Sequence, residues 1–279
     1  MKLTIGEHAG FCFGVRRAVL KAFECAEKQL PCVTLGPLIH NPQEVERLRR
    51  AGIRSVETLD EVAPGETVII RSHGVTPDVY RTCEARGIPV IDATCPHVAH
   101  IHQLVEQYSG NGDAVVIVGE ADHPEVIGIA GWAHGKVFIL PDAQAAEEAE
   151  LPKKALVVAQ TTIRRDRFDS VLQVLRRRVP DLTQRITICA ATSQRQQEAE
   201  KLSSEADVMV VVGGKNSSNT QKLLETCRLR CKRSILVETP EDVPAHLAGP
   251  EDRVALTAGA STPQWLLEQV RARIEENAK

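Results

Sequence analysis

The stretch that decides the fold is Val90-Ile91-Asp92-Ala93-Thr94-Cys95-Pro96-His97-Val98. A short β-branched run passes into small residues and then into Cys95 and Pro96, which predicts a strand followed by a turn. Open α/β sheets place their ligands at the carboxyl ends of strands. We therefore expect Cys95 to lie at a binding site.

Two other cysteines stand in similar settings. Cys12 is enclosed in Gly10-Phe11-Cys12-Phe13-Gly14, and Cys189 follows the apolar run Ile186-Thr187-Ile188, which predicts another strand. The three cysteines divide the chain into stretches of similar length. This spacing suggests three similar lobes that each supply one thiolate to a shared centre.

Outward from these cysteines, aliphatic runs alternate with amphipathic segments along the chain. Runs typical of buried strands include residues 67–70, 114–118, 155–159 and 207–212. Strands that alternate with helices predict parallel sheets with helices on their faces, hence an α/β fold. Polar and sulfur groups gather where the predicted strands end, and we expect them to face one cavity.

The composition is that of an ordinary globular protein, with 279 residues, 43% hydrophobic and 25% charged. The formal net charge of -3 gives no general signal for polyanion binding, which argues against nucleic acid as the main partner. The amino terminus lacks the apolar core of a signal peptide, and no run is long and uncharged enough to span a bilayer. We expect a cytoplasmic protein with no membrane partner.

Eight cysteines without a secretion signal favour metal, cluster or redox chemistry over a disulfide framework. The closely spaced cysteine pairs of structural zinc sites are missing, whereas three thiolates fit a 4Fe-4S cluster with one iron left open. We interpret Cys25, Cys32 and Cys83 as small buried hydrophobes. Cys227 and Cys231 lie four apart on a predicted helix, and we interpret them as structural.

Several hydrogen-bonding side chains follow the predicted strand ends, next to glycine or proline. Because they are neutral or switchable donors, they suit a phosphate or diphosphate. Gly213-Gly214 before a helix also supplies backbone amides for an anion, although a helix cap alone explains one polar residue there. The candidate donors are His40, His73, His123, Ser217, Ser218, Asn219 and Ser261.

Two further residues are candidates for acid–base work. Glu125 follows a His-Pro pair, and a carboxyl group in a secluded cavity can donate a proton near neutrality. A solvated loop carboxylate is the alternative interpretation of Glu125. Thr161 ends a predicted strand, and it either hydrogen-bonds a substrate hydroxyl or has only that structural role.

Nine motifs follow one another through almost the whole chain: GFCFGVRRAV, LGPLIHNPQEVERL, RSHGV, DATCPHV, HPEVIGIAGW, AQTT, TICAATSQRQ, GGKNSSNTQKL and TAGASTP. As an ordered set they resemble the 4-hydroxy-3-methylbut-2-enyl diphosphate reductases, iron-sulfur enzymes of the methylerythritol phosphate route to isoprenoids. The resemblance implies three αβα lobes with small, mostly parallel sheets in a pseudo-threefold arrangement around a central cluster. The implied lobes are residues 13–95, residues 96–187, and residues 1–12 together with 188–279.

The resemblance also implies a reaction, the reductive dehydroxylation of (E)-4-hydroxy-3-methylbut-2-enyl diphosphate to isopentenyl and dimethylallyl diphosphate. Glu125 would feed protons to the substrate, and Thr161 would contact its hydroxyl. The diphosphate would be bound by His40, His73, His123, Ser217, Ser218, Asn219 and Ser261. One 4Fe-4S cluster, seen as 3Fe-4S if the open iron is lost, would be held by Cys12, Cys95 and Cys189.

The expected partners are the small-molecule diphosphate and a ferredoxin- or flavodoxin-type electron donor. Two alternatives stay open at this point. One is a dehydratase similar to quinolinate synthase, whose architecture also looks like three lobes around a three-cysteine cluster. The other is an iron-sulfur sensor or electron carrier, which would gain little from an open iron or a diphosphate pocket.

Overall fold

The structure is a computed structural model that describes residues 1–277. Within these residues, twelve strands form three four-stranded parallel sheets, with ten α-helices between them. The strands are β1 (Lys2–Ile5), β2 (Cys32–Leu35), β3 (Arg54–Val56), β4 (Thr67–Ile70), β5 (Val90–Asp92), β6 (Ala114–Val118), β7 (Val137–Leu140), β8 (Lys154–Ala159), β9 (Asp181–Gln184), β10 (Val208–Val212), β11 (Ser234–Val237) and β12 (Arg253–Ala258).

The helices follow the strands in the alternation that the sequence predicts. They are α1 (Phe13–Glu27), α2 (Pro42–Arg50), α3 (Pro77–Ala85), α4 (Pro96–Gly110), α5 (Pro124–Gly131), α6 (Ala143–Glu148), α7 (Arg165–Arg178), α8 (Ala190–Glu205), α9 (Ser218–Arg228) and α10 (Gln264–Asn277). Among residues 1–277, none of the helices is long and apolar enough to cross a bilayer.

The three sheets share one strand order, β3-β2-β4-β5, β7-β6-β8-β9 and β11-β10-β12-β1. The third sheet takes its last strand from the amino terminus, where Lys2–Ile5 pairs in parallel with Arg253–Leu256. The central strands β6 and β10 are buried along their whole length, because helices cover both faces of a parallel sheet. The predicted α/β fold with three small parallel sheets is confirmed.

The described chain forms two compact units. Unit 1 consists of Met1–Arg16, Ile39–Glu46 and the segment from Ala190, and it contains the third sheet. Unit 2 consists of Arg17–Leu38 and Arg47–Cys189, and it contains the other two sheets. The limits of the three lobes stay a prediction.

The predicted strand at Ile186–Ile188 is wrong. The strand of this region is β9, which pairs with Lys154–Val157 of β8 and ends at Gln184. Beyond β9, the Thr187 side chain replaces backbone hydrogen bonds to β8. Its Oγ1 accepts from the Ala159 amide and donates to the Ala159 carbonyl, both at 2.7 Å. Ile186 is left 55% exposed. Cys189 is therefore reached through an irregular segment.

Candidate functional site

Three of the eight cysteines differ from the others in exposure and position. Cys12, Cys95 and Cys189 are half-buried, whereas the other five are buried, and none of the eight is in a disulfide among residues 1–277. Each of the three directly precedes the first residue of a helix, α1, α4 and α8 respectively. Because unpaired amides and the helix dipole favour negative charge at that end, these positions suit anionic sulfur ligands.

The remaining cysteines have the environment of packed hydrophobes, as the sequence predicts. Burial raises the pKa of Cys32 to about 12, and the nearby Cys25 thiol adds to the shift. Burial also raises the pKa of Cys227 to about 12, helped by Cys231, and raises the pKa of Cys83. Such thiols stay protonated at neutral pH and are poor metal ligands.

In unit 2, a network of hydrogen bonds holds the segment that carries Cys95. The Cys95 amide donates to the Ser72 carbonyl at 3.0 Å, because β4 and β5 are adjacent and their ends meet at one edge. Arg17 donates to the Thr94 carbonyl at 2.9 Å, and the Thr94 amide donates to Asp92 Oδ1 at 2.8 Å. The sequence motif alone suggests a solvated Arg17, so this role was missed.

Two of the predicted histidines meet in unit 2. The rings of His73 and His123 lie 5.5 Å apart in an edge-to-face arrangement. His123 precedes α5, and its Nδ1 accepts a hydrogen bond from the Glu125 amide at 3.1 Å. Because Nδ1 accepts, Nε2 carries the proton in the neutral ring and is its donor atom.

Glu125 and Thr161 form a buried pair, with 2% and 7% of their surfaces exposed. The two carboxylate oxygens of Glu125 accept from the Thr161 amide at 2.5 Å and from Thr161 Oγ1 at 2.7 Å. The Thr161 carbonyl in turn accepts from the Cys189 amide at 3.1 Å. The pair forms because β6 and β8 are neighbours and both residues follow the carboxyl ends of these strands.

In unit 1, three successive residues at the start of α9 are arranged as hydrogen-bond donors. Ser217 caps the helix, and its Oγ accepts from the Thr220 amide at 3.3 Å. Ser218 Oγ accepts from Lys222 Nζ at 2.6 Å. Both hydroxyl oxygens act as acceptors in these contacts. Asn219 Nδ2 is buried without a hydrogen-bond partner among residues 1–277.

His40 and Ser261 also come together in unit 1. Ser261 Oγ donates to the His40 carbonyl at 3.1 Å. The backbone at Gly214 lies so close to this carbonyl that an added Cβ would be 2.7 Å from its oxygen, so only glycine fits. Cys12 adjoins the same group, because its amide donates to the Ala260 carbonyl at 3.0 Å.

Arg195 and Glu198 of α8 hold the segment that leads to Cys12. Arg195, 3% exposed, donates to the carbonyls of His8 and Gly10, both at 2.9 Å. The Glu198 carboxylate accepts from the backbone amides of Glu7 and His8 at 2.6 and 3.0 Å. Sequence reasoning missed these contacts, and the one available signal was the placement of both residues in or beside the TICAATSQRQ motif.

The predicted site residues thus fall into two sets, each within one unit and linked by the contacts given above. The set of unit 2 contains His73, Cys95, His123, Glu125, Thr161 and Cys189. The set of unit 1 contains Cys12, His40, Ser217, Ser218, Asn219 and Ser261. The first set offers acid–base groups, and the second offers mostly hydrogen-bond donors.

Comparison with known proteins gives full-length matches. The family model described as LytB protein matches residues 3–275. The chain is 42% identical over 279 residues to the 4-hydroxy-3-methylbut-2-enyl diphosphate reductase of Caldanaerobacter subterraneus subsp. tengcongensis, covering 99% of this chain and 97% of that protein. It is 43% identical over 278 residues to the reductase of Aquifex aeolicus, covering 98% and 96%.

Two solved structures are similar as well. One is an (E)-4-hydroxy-3-methyl-but-2-enyl diphosphate reductase, described as the terminal enzyme of the non-mevalonate pathway. Its TM-score is 0.73 at 42% identity, with 99% of this chain and 100% of that chain covered. The other is the E-1-hydroxy-2-methyl-but-2-enyl-4-diphosphate reductase from Plasmodium falciparum, with a TM-score of 0.92 at 28% identity, covering 97% and 87%.

Proposed function

Because the chain belongs to the LytB protein family, we propose that it reduces (E)-4-hydroxy-3-methylbut-2-enyl diphosphate to isopentenyl diphosphate and dimethylallyl diphosphate. The family resemblance that the motifs indicated is confirmed. The observation that carries the proposed reaction is the buried Glu125–Thr161 pair, which joins a proton-carrying group to a hydroxyl that can accept from an alcohol. A quinolinate-synthase-like dehydratase is correspondingly disfavoured.

The reaction removes the C4 hydroxyl of the substrate. The new hydrogen is added at C4, with the double bond kept, to give dimethylallyl diphosphate, or at C2, with the double bond moved to C3 and C4, to give isopentenyl diphosphate. It consumes two electrons and two protons and releases water. Hydroxide is a poor leaving group, so a proton must reach the departing oxygen. With Glu125 ionised, Thr161 Oγ1 donates to Glu125 Oε2 and can accept from the substrate hydroxyl. Once Glu125 is protonated the hydrogen bonds reverse: Glu125 donates to Thr161 Oγ1, and Thr161 Oγ1 donates its own hydrogen to the departing oxygen, so that one proton is relayed.

Cys12, Cys95 and Cys189 are the proposed ligands of one 4Fe-4S cluster. They fit this group because they are the half-buried cysteines of residues 1–277 and because each precedes a helix start. When bound, a cluster with one iron left without cysteine supplies electrons and a Lewis acid for the substrate oxygen. Loss of that iron would leave a 3Fe-4S form.

The diphosphate end of the substrate is assigned to the donor groups. Ser217 and Ser218 carry hydroxyl groups, and the buried Asn219 Nδ2 is a donor without a partner among residues 1–277; such donor groups match the acceptor oxygens of a diphosphate. Ser261 must turn its hydroxyl from the His40 carbonyl to take part. The further proposed donors are His40, His73 and His123.

The electrons come from a ferredoxin- or flavodoxin-type protein in this proposal, because the two electrons are used singly by an iron-sulfur cluster. The small-molecule substrate and this donor are the proposed partners. An iron-sulfur sensor or carrier would need neither the buried Glu125–Thr161 pair nor the donor cluster at α9.

The deciding experiment is anaerobic purification with iron and sulfide counting and electron paramagnetic resonance, before and after addition of the hydroxymethylbutenyl diphosphate. Cys12→Ser, Cys95→Ser and Cys189→Ser should each lower the cluster content and abolish turnover. Cys83→Ala is the matched control, because this thiol is 1% exposed and should leave the cluster intact. Substrate should shift the signal of the wild-type cluster.

A stoichiometric zinc site, or a cluster whose signal ignores the diphosphate, would contradict the proposed reaction. Equal cluster loss in Cys83→Ala and in the three serine variants would contradict the ligand assignment while leaving the reaction untouched.

A further inference from the structure

A cavity of about 250 Å³ lies in unit 2 at the carboxyl ends of β2 and β4. These strands are neighbours, with Leu35 paired to Ile70, and residues of α3 and α5 complete the wall. Open α/β sheets bind ligands at this end of their strands. Neither His73 nor Glu125 is among the described residues that line the cavity, so it is separate from the proposed reaction site.

The cavity contains a cation that has no counter-ion. Arg71 follows β4 and lines the cavity, and its Nε is buried without a hydrogen-bond partner among residues 1–277. Within the same residues, no acceptor is bound to the other N–H groups of this guanidinium, and no ion pair is formed. Burial lowers the pKa of Arg71, and the charge of Glu57 acts in the opposite direction. Because arginine stays charged at neutral pH, these donors are left for an anion.

Packing holds this guanidinium against the chain. Nη1 of Arg71 lies beside the backbone of Gly36, where an added Cβ would be 2.6 Å from it. Gly36 also has a φ of +67°, which glycine adopts at no steric cost. A cation that is already placed costs less entropy when it binds a ligand than a mobile side chain on the surface.

The start of α3 adds positive potential to the same wall. Thr76 precedes this nine-residue helix and lines the cavity, but its side chain makes no capping hydrogen bond. The unpaired amides at the amino end of a helix favour negative charge. Asp78 in the first turn is exposed and forms its ion pair with Arg81.

The other lining residues determine what kind of anion fits. Glu57 is the acidic residue of the wall, and it repels each further negative charge, so one cation beside it suits a monoanion better than a diphosphate. The volume lies below the roughly 300–1,000 Å³ of sites for drug-sized ligands, which indicates a small molecule. Apolar side chains form much of the remaining wall, namely Leu35, Val75, Val79, Pro124 and Ile127.

We propose that this cavity is a second ligand site, which binds a small monocarboxylate with a short apolar chain. The carboxylate binds the guanidinium of Arg71, since the planar fork of N–H groups matches two carboxylate oxygens. The chain packs on the apolar wall, where Ile127 is 49% exposed and gains by being covered. The site goes beyond the proposed reaction and does not depend on it.

The test titrates the holoenzyme with 3-methylbutanoate and follows binding by saturation-transfer NMR. A ligand of about seven non-hydrogen atoms should bind with a Kd of about 1 mM. The neutral isostere 3-methylbutanamide should bind about 10- to 100-fold more weakly, because the hydrogen bonds to a charged group are lost. Acetate should bind at least about 10-fold more weakly, because it has no chain to bury.

Variants locate the binding in the cavity. Arg71→Met keeps the length of the side chain and should weaken 3-methylbutanoate binding about 10- to 100-fold. Arg71→Lys keeps the charge without the fork and should have an intermediate Kd. Arg81→Met removes an exposed arginine of α3 and should change Kd less than about twofold.

A wild-type Kd in Arg71→Met, or equal binding of the amide and the carboxylate, would overturn the proposal. The comparison of the two probes uses wild type alone, so it holds even where a variant fails to fold. Saturating inorganic pyrophosphate should not displace 3-methylbutanoate, and full displacement would assign the probe to the proposed diphosphate site instead. Failure of wild type to bind 3-methylbutanoate would overturn this site and leave the proposed reaction untouched.

Discussion

The start of α9 in unit 1 and the Glu125–Thr161 pair in unit 2 occupy similar positions in their sheets. Their hydroxyl groups differ in whether they accept or donate the hydrogen bond to the neighbouring side chain or amide. Each follows the carboxyl end of a central strand in a parallel sheet, β10 in one case and the neighbours β6 and β8 in the other. At α9, the Ser217 and Ser218 hydroxyl oxygens accept hydrogen bonds from the protein. At Thr161, the hydroxyl donates to Glu125, so its lone pairs face outward.

Within the proposed function, the two kinds of hydroxyl suit two different chemical groups. An outward hydrogen suits an anionic oxygen, and an outward lone pair suits an alcohol. The residue that bonds to each hydroxyl from within the protein decides whether that hydroxyl accepts or donates. Lys222 can only donate to Ser218, and an ionised Glu125 can only accept from Thr161. Whether the hydroxyl belongs to a serine or a threonine therefore has less influence on its hydrogen-bonding role than the side chain to which it is bonded.

The largest effect is expected from Glu125→Gln, which breaks the acceptor side of the comparison. The amide has no transferable proton, and its NH2 group would reverse the hydrogen bond to Thr161 Oγ1. We expect kcat to fall about 10²- to 10⁴-fold with KM nearly unchanged, as for loss of a general acid. Steady-state kinetics with a chemical reductant measures this.

The control for Glu125→Gln is Asp122→Asn, which removes an exposed carboxylate from the same loop. It should retain the wild-type rate. A Glu125→Gln enzyme with more than half of the wild-type kcat would remove Glu125 from the proton path.

A smaller effect is expected from Asn219→Ala on the donor side. The variant deletes the unpartnered Nδ2 donor and leaves the helix cap at Ser217 in place. KM for the substrate should rise about 10- to 100-fold while kcat stays within about threefold, because the lost hydrogen bond is to a charged group. Asn216→Ala, an exposed residue of the same segment, should change neither value. A loss confined to kcat would contradict the division between the two regions.

Replacement of His102 in unit 2 is expected to have the smallest effect at neutral pH. In acid, however, His102 should make the free energy of unfolding depend on pH. His102 packs against the turn after His73, where a Cβ on Gly74 would be 2.5 Å from its ring. Burial lowers the pKa of His102 to about 4 from 6.5, although Asp92 acts in the opposite direction. Between pH 6.5 and 4 the unfolded state binds the extra proton, so stability falls as the pH falls through this window.

The free energy of unfolding should drop by about 3 kcal/mol across that window, given 1.36 kcal/mol per pKa unit. Urea unfolding at a series of pH values measures it, and Trp132 is a local probe because its ring stacks on His102 at 5.2 Å. His102→Gln should flatten this part of the profile. An unchanged profile in His102→Gln would assign the acid sensitivity to other groups.

Much of the fold was readable from the sequence. Strands such as 114–118 and 67–70 are continuous aliphatic runs with clear ends, and buried parallel strands have this pattern. The strand before Cys189 was misplaced, because a three-residue apolar run does not distinguish a strand from an exposed segment. The Thr187 side chain that replaces the ladder there has no sequence signal.

For the candidate site, too, some residues were predicted from the sequence and others were missed. The residue types at strand ends indicated thiolate ligands, phosphate donors and an acid, and the ordered motifs indicated the family, since each lies in a local pattern. Arg17, Arg195 and Lys222 were not recognised as supporting residues, because a basic residue on a helix looks the same whether it is solvated or buried.

The sequence by itself determined the α/β class, the alternation of strands and helices, the family and the residues that gather at strand ends. These follow from local periodicity and from short motifs. Only the tertiary structure decided the direction of each hydrogen bond, the burial of Lys222 and the pairing of Glu125 with Thr161. Hydrogen-bond direction depends on which donor or acceptor lies behind a hydroxyl, and neighbours from distant parts of the chain meet only when the parallel strands are assembled.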